Sequence, residues 1–164
     1  MLRELRTPVI NKLKAATFSV ATAESCTGGR VAAELTAVSG ASAVFQGGVV
    51  AYQNEVKSQI LKVDPRLIDS CDVVSEEVAK AMVVGACQLF SADRAVATTG
   101  YAGPTGGSEK VPLGTIWIAC GNGTMYLTKC LHLGIDRESN LMLTVQTALQ
   151  LLDDFISELT NNNK

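Results

Sequence analysis

Six consecutive residues, Glu24-Ser25-Cys26-Thr27-Gly28-Gly29, bring a carboxylate, two hydroxyls, a thiol and two glycines together inside "TAESCTGGRVAAEL". The residues before them are β-branched and small apolar, and those after them form a helical run, so the cluster sits at a strand-to-helix turn. A hydroxyl or thiolate there is a candidate nucleophile. The first N–H groups of a helix lack intrahelical acceptors and can stabilise an oxyanion or a phosphate. Glycine adds close approach, because no Cβ stands in the way. The same residues also suit a capped helix after a tight turn, and spacing alone does not choose.

A second group, Tyr52, Asn54 and Lys57, gathers a phenol, an amide and an amine around another junction. Lysine acts as a general base only when neutral, which requires desolvation or a nearby positive potential. A solvated lysine on an amphipathic helix is the plainer alternative. The third group is the loop from Gly100 to Gly107, in "YAGPTGGSEKVPLG". It has neither P-loop nor dinucleotide-fingerprint spacing, yet a long glycine- and proline-rich loop can cradle a small ligand with its backbone. His132, the sole histidine, shares a strand face with Cys130 and reads as structural, and Trp117 reads as core.

Alternating strands and helices must hold these loops. Thr7-Pro8 predicts an N-cap and first helical residue for a helix reaching about Ala16. "TFSVATAES" predicts a buried strand, "GGRVAAELTAV" a helix, and Val49 to Tyr52 a strand that gives way to a helix through about Leu61. Ser75 is the expected N-cap of "EEVAKAMVVGACQLF", with Glu76 and Glu77 at its positive end. "RAVATTG" predicts a strand, and "TIWIAC" and "MYLTKCLHL" predict a hairpin around Gly121-Asn122-Gly123. That turn also accounts for the Asn122-Gly123-Thr124 sequon. An amphipathic helix is expected over about Arg137 to Leu159, followed by a polar tail of asparagines and lysine. The order implies an α/β fold, a single-domain three-layer α/β/α with a mixed sheet spanning residues 1–164. In such sheets ligand sites gather at loops leaving the strand ends.

Composition sets outer bounds. The 164 residues are 47% hydrophobic and 18% charged with a net charge of −2, a globular balance that gives no basic field for nucleic acid. Charges scattered through "MLRELRTPVINKLKAA" do not match a usual signal peptide, and no later run has membrane-span length. The five cysteines are odd in number and widely spaced without a C-x-x-C pair, so neither a zinc site nor a disulfide framework is expected, and a reducing cytoplasm is the simplest compartment.

Four blocks in order, "TAESCTGG", "VAYQNEVK", "VSEEVAKAM" and "TGYAGPTGGSEKVPLGTIWIA", resemble the CinA carboxy-terminal domain family, whose enzymatic members are nicotinamide mononucleotide amidases. The likeness runs from about Leu5 into the last helix. It implies hydrolysis of the mononucleotide's carboxamide to nicotinate mononucleotide and ammonia in pyridine nucleotide salvage, by a cytoplasmic homo-oligomer that needs no metal or other cofactor. The partner it implies is a small nucleotide substrate, not nucleic acid or a membrane. Many relatives carry a further amino-terminal molybdopterin-binding-like domain, and the chain resembles the stand-alone form.

On matching positions the resemblance implies Ser25 as nucleophile and Lys57 as base, with Thr27, Tyr52 and Asn54 orienting or stabilising. It implies substrate contacts from Gly28, Gly29, Asn54, Gly100, Ala102, Gly103, Gly106, Gly107 and Arg137. Cys26 is an alternative nucleophile, and Lys57 an alternative phosphate ligand. A non-catalytic nucleotide-binding or interaction role in competence or DNA damage response is the rival function. Two departures stand out. Tyr101 occupies a position that is aliphatic in many relatives. "GIDRESNL" keeps Arg137 but inserts Ile135 and has Leu141 where a second arginine is common.

Overall fold

The computed structural model describes residues 2–161, so most of the polar tail expected after the last helix lies outside the described residues. Five strands form one open sheet in the order β2-β1-β3-β4-β5. β1 (Val20–Glu24), β2 (Phe45–Val50) and β3 (Arg94–Gly100) are parallel, while β4 (Thr115–Gly121) and β5 (Tyr126–His132) complete the sheet as an antiparallel hairpin. This is the mixed α/β architecture expected from the order of elements. Asn122 Oδ1 closes the hairpin turn, accepting from the N–H groups of Thr124 and Met125 at 3.0 and 2.7 Å.

Strand parity divides the core in two. Val20, Val96, Ile116 and Ile118 face one side, where α1 (Leu2–Ala16), α2 (Arg30–Thr36) and α6 (Arg137–Asn161) cover them. Ala21, Ala23, Ala95, Ala97 and Ala119 face the other, beneath α5 (Glu76–Phe90). Small residues on that face let α5 lie close. A Cβ at Gly85 would come within 2.1 Å of the Leu61 carbonyl oxygen, so glycine is what permits the approach.

Three elements depart from expectation. α1 begins at Leu2 with Pro8 inside it, and Thr7 does not cap it: its hydroxyl donates to the Arg3 carbonyl. Leu2 and Leu5 extend the apolar stripe of Val9, Ile10 and Leu13, so tertiary burial carries the helix past the proline. β2 starts at Phe45, four residues before the predicted strand, and ends at Val50. Its glycines allow close contact: a Cβ at Gly48 would stand 2.2 Å from Thr22 Oγ1, and one at Gly47 2.5 Å from the Phe90 ring. Finally, α4 (Pro65–Cys71) was not anticipated, although Asp64 caps it and proline occupies its first position. Between α4 and the strand before it lies α3 (Asn54–Gln59).

The connections fix where a ligand can sit. From β1 the chain crosses one face through α2 to reach β2, then returns across the other face through α5 to reach β3. β1 is therefore flanked by strands whose connections diverge, and a crevice opens at its carboxyl end. Among the described residues no helix is long and apolar enough to cross a membrane.

Candidate active site

Ser25 follows β1 immediately, and its N–H donates to the Thr98 carbonyl at 2.9 Å, which prolongs the β1–β3 ladder by one residue. The side chain thereby faces the α5 side of the sheet, into a cleft of about 260 Å3 at the carboxyl ends of the parallel strands. Lys57 enters from α3. It is almost wholly buried, and its Nζ stands 3.0 Å from Ser25 Oγ, 2.7 Å from the Ala51 carbonyl oxygen and 3.3 Å from that of Tyr52.

The donor count of an amine makes this geometry informative. A lysine ammonium has three N–H groups, and all three would be directed at oxygen. A neutral amine has two, which suit the two backbone carbonyls, and one lone pair, which is left for the Ser25 hydroxyl proton. No carboxylate contacts Nζ among the described residues. Burial pushes the amine down to about 8, so about one tenth of it is neutral near pH 7. The pair has the arrangement of an activated nucleophile and its base.

Cys26 borders the cleft next to Ser25, but it is almost wholly buried and packs with the core beneath α1, α2 and α6. Burial pushes its thiol up to about 12, and a buried protonated thiol is a poor nucleophile. Of the two candidate nucleophiles, Ser25 is the one within hydrogen-bond distance of Lys57 Nζ.

Glu24 fills the role that the sequence left open for an anion. Its carboxylate accepts from the Thr27 hydroxyl at 2.6 Å and from the N–H groups of Gly29, Val31 and Ala32 at 2.8 to 3.0 Å. The positive end of α2 is thus occupied by the protein's own carboxylate. Thr27 is fully buried in this layer, its hydroxyl 2.7 Å from that of Thr98, and it does not face the cleft. Gly28 and Gly29 adopt left-handed φ of 59° and 94° and form the turn, also away from the cleft. The helix terminus expected to hold a phosphate or an oxyanion is therefore closed to both.

Arg137, from the start of α6, lines the same cleft as Ser25. Its guanidinium donates to the Gly103 carbonyl at 2.7 Å and to the Tyr52 hydroxyl at 3.1 Å. Asp136 accepts the Ser139 N–H at 3.0 Å and so orients the helix start that carries Arg137. Tyr52, Asn54, Gly100 and Ala102 line the cleft with Ser25 and Lys57, whereas Gly103, Gly106 and Gly107 shape the outer loop without lining it. Leu141 lies in the core.

Several contributors were not singled out from the sequence. Thr99 faces the cleft and donates to the Val73 carbonyl at 2.8 Å, tying β3 to the α4–α5 turn. Buried Asn140 donates to the carbonyls of Ala102 and Ile135, both at 3.0 Å, and pins the glycine-rich loop to α6. A polar pair, Thr98-Thr99, ending an apolar strand was the readable sign of the first. Asn140 is only one polar position in an amphipathic helix and gave no sign.

These features define an α/β domain with a serine and a buried lysine in the crevice of a doubly wound sheet. The chain belongs to the CinA C-terminal domain family, whose model matches residues 2–156. CinA-like proteins of Cytophaga hutchinsonii and Mycobacterium marinum are 42% and 47% identical over 90% and 85% of this chain, which spans about a third of their length (35% and 33%). A competence-damaged protein (CinA) superfamily structure from Klebsiella pneumoniae superimposes with a TM-score of 0.92 at 34% identity, covering 96% of this chain and 99% of that one. A competence/damage inducible protein from Agrobacterium tumefaciens gives 0.88 at 37% identity, covering 92% and 93%.

Proposed function

We propose that the chain hydrolyses the carboxamide of nicotinamide mononucleotide, with Ser25 as nucleophile and Lys57 as its base. The observation that carries the reading is the 3.0 Å approach of a buried amine, with no carboxylate in contact among the described residues, to a serine hydroxyl. An unactivated serine does not attack a resonance-stabilised amide, and a neutral amine beside it supplies the missing proton acceptor. The family likeness supplies the substrate, and the cleft suits it: Arg137, in the same cleft as the serine, offers a positive charge for a phosphate.

In the first half-reaction Ser25 Oγ attacks the carboxamide carbon and its proton passes to Lys57. The Cys26 N–H, beside Ser25 in the cleft wall, donates to no backbone carbonyl among the described residues and is the donor assigned to the tetrahedral oxygen. Lys57 then returns the proton to the departing nitrogen, ammonia leaves, and an ester to Ser25 remains. Water, deprotonated by Lys57, cleaves that ester to release nicotinate mononucleotide and restore the hydroxyl. The sum is one amide and one water consumed, one acid and one ammonia formed.

Purified protein incubated with nicotinamide mononucleotide is expected to release ammonia and nicotinate mononucleotide. Ser25→Ala and Lys57→Ala should both lose turnover, and Cys26→Ala should keep most of it. Product no higher than in the Lys57→Ala control would overturn the proposal. Binding of the mononucleotide without turnover by the intact chain would leave a nucleotide-binding protein in its place.

A further inference from the structure

Beside the Ser25 cleft lies a second cavity of about 370 Å3, and the two share Asn54, Val73 and Tyr101 as lining residues. Tyr101 is thus part of the wall between them, and it is held from several directions. Its N–H donates to the Thr115 carbonyl at 3.0 Å and its carbonyl accepts from the Gly114 N–H at 2.8 Å, which extends the β3–β4 pairing. Its ring rests over Gly106, where a Cβ would come to 3.3 Å of Cδ1. Its hydroxyl donates to Asp72 Oδ1 at 3.1 Å.

Asp72 gathers more than that one bond. The same carboxylate accepts the Ser108 hydroxyl at 2.6 Å and the Val74 N–H at 2.9 Å, from a residue whose own φ is 77°. A non-glycine residue in the left-handed region costs free energy and persists where the surroundings hold it. One side chain therefore clasps both limbs of the glycine-rich loop to the α4–α5 turn. Burial and the neighbouring carboxylate push the Tyr101 phenol up, which keeps it a donor.

The two chambers differ in charge. The Ser25 cleft holds Arg137 and Lys57, whereas the second has Asp69, Asp72 and Glu109 against Lys110 alone. A phosphate is attracted to the first and repelled from the second. A ligand extending past Tyr101 would have to displace a clasped ring and carry any further phosphate into an acidic chamber.

We infer that the Asp72–Tyr101–Ser108 clasp is a specificity device, closing the cleft toward the second cavity and confining the substrate to a mononucleotide against a dinucleotide bearing the same carboxamide. The inference rests on the amidase reading above. It makes Tyr101 a gate whose side chain sets the length of substrate accepted.

The test is equilibrium binding on a Ser25→Ala background, where nothing is turned over, with calorimetry of nicotinamide mononucleotide and of nicotinamide adenine dinucleotide. The background protein should prefer the mononucleotide. Adding Tyr101→Leu, which removes ring and hydroxyl but keeps an apolar side chain, should move the affinity ratio toward the dinucleotide by about tenfold. Tyr101→Phe and Asp72→Asn, which weaken the clasp and keep the ring, should move it the same way by less. Mononucleotide binding with an unchanged ratio in Tyr101→Leu overturns the inference alone; should that variant not fold, an unchanged ratio in both of the others does so. Equal affinity for the two nucleotides with Tyr101 intact also overturns it. Failure to bind either nucleotide overturns the amidase reading and the inference together.

Discussion

The pH dependence of turnover separates the two roles open to Lys57, because a base must be neutral and a phosphate ligand must be charged. With the amine held near 8 by burial, about one tenth is neutral near pH 7 and about nine tenths near pH 9. If Lys57 is the base, kcat/KM should rise about tenfold over that interval and level off above it, since this parameter reports the free enzyme. If Lys57 instead grips the phosphate, the charged fraction declines over the same interval, and kcat/KM should fall about tenfold. The second ionisation of the substrate phosphate has its midpoint near pH 6, so it contributes little above pH 7. The assay is the initial rate of ammonia release at substrate concentrations well below KM, from pH 7 to pH 9.5. A falling or level profile would refute a neutral lysine as base.

Two stability measurements probe the same packing. Lys57 has a native amine near 8 and an ordinary value of 10.5, so the unfolded chain binds the extra proton between them and stability gained from deprotonation grows as pH rises through that window. Taken as the difference between wild type and Lys57→Met in urea unfolding, so that the buried thiols titrating nearby cancel, the gain should be on the order of 3 kcal/mol from pH 8 to 10.5. A difference that does not vary with pH would mean the amine is not desolvated. Gly85→Ala should destabilise by roughly 1–3 kcal/mol despite the better helix propensity of alanine, because its Cβ meets the Leu61 carbonyl at 2.1 Å. A urea midpoint equal to or above wild type would show that α5 does not approach so closely.

How far the sequence could be read follows from which residues act locally. Period and turn chemistry placed β3, α5 and the β4–β5 hairpin, because Ser75 capping and the Asn-Gly turn are local effects. The Thr-Pro rule at residues 7 and 8 failed because apolar Leu2 and Leu5 are paid for by contacts with distant α6, while the same rule at Asp64-Pro65 would have found α4. The strand expected over Val49 to Tyr52 begins too late because Gly47 and Gly48, which carry no side chain to mark a strand, make room for Phe90 and Thr22. Ser25, Tyr52, Asn54, Lys57 and Arg137 stand together in the cleft, but Thr27, Gly28, Gly29, Gly103, Gly106 and Gly107 do not line it. Those six belong to the turn and the loop. A motif marks the segment in which chemistry sits without saying which of its residues face the ligand.

Strand parity supplies the distinction that the motif lacks. Glu24 and Ser25 are adjacent, so at the end of a strand they point to opposite faces of the sheet. The even-numbered side carries Glu24, Thr98 and the start of α2, a buried layer in which a carboxylate meets four donors. The odd-numbered side carries Ser25, Thr99 and Lys57 and opens to the cleft. Both pairings depend on one register, Glu24 opposite Val50 on one side and opposite Thr98 on the other. A slip of one residue would turn the serine into the core and leave a carboxylate beside the amine, where an ion pair would hold Lys57 charged. The glutamate therefore serves the serine indirectly. By closing α2 from the far face it fixes the register that leaves the hydroxyl as the side chain nearest an amine with no carboxylate in contact.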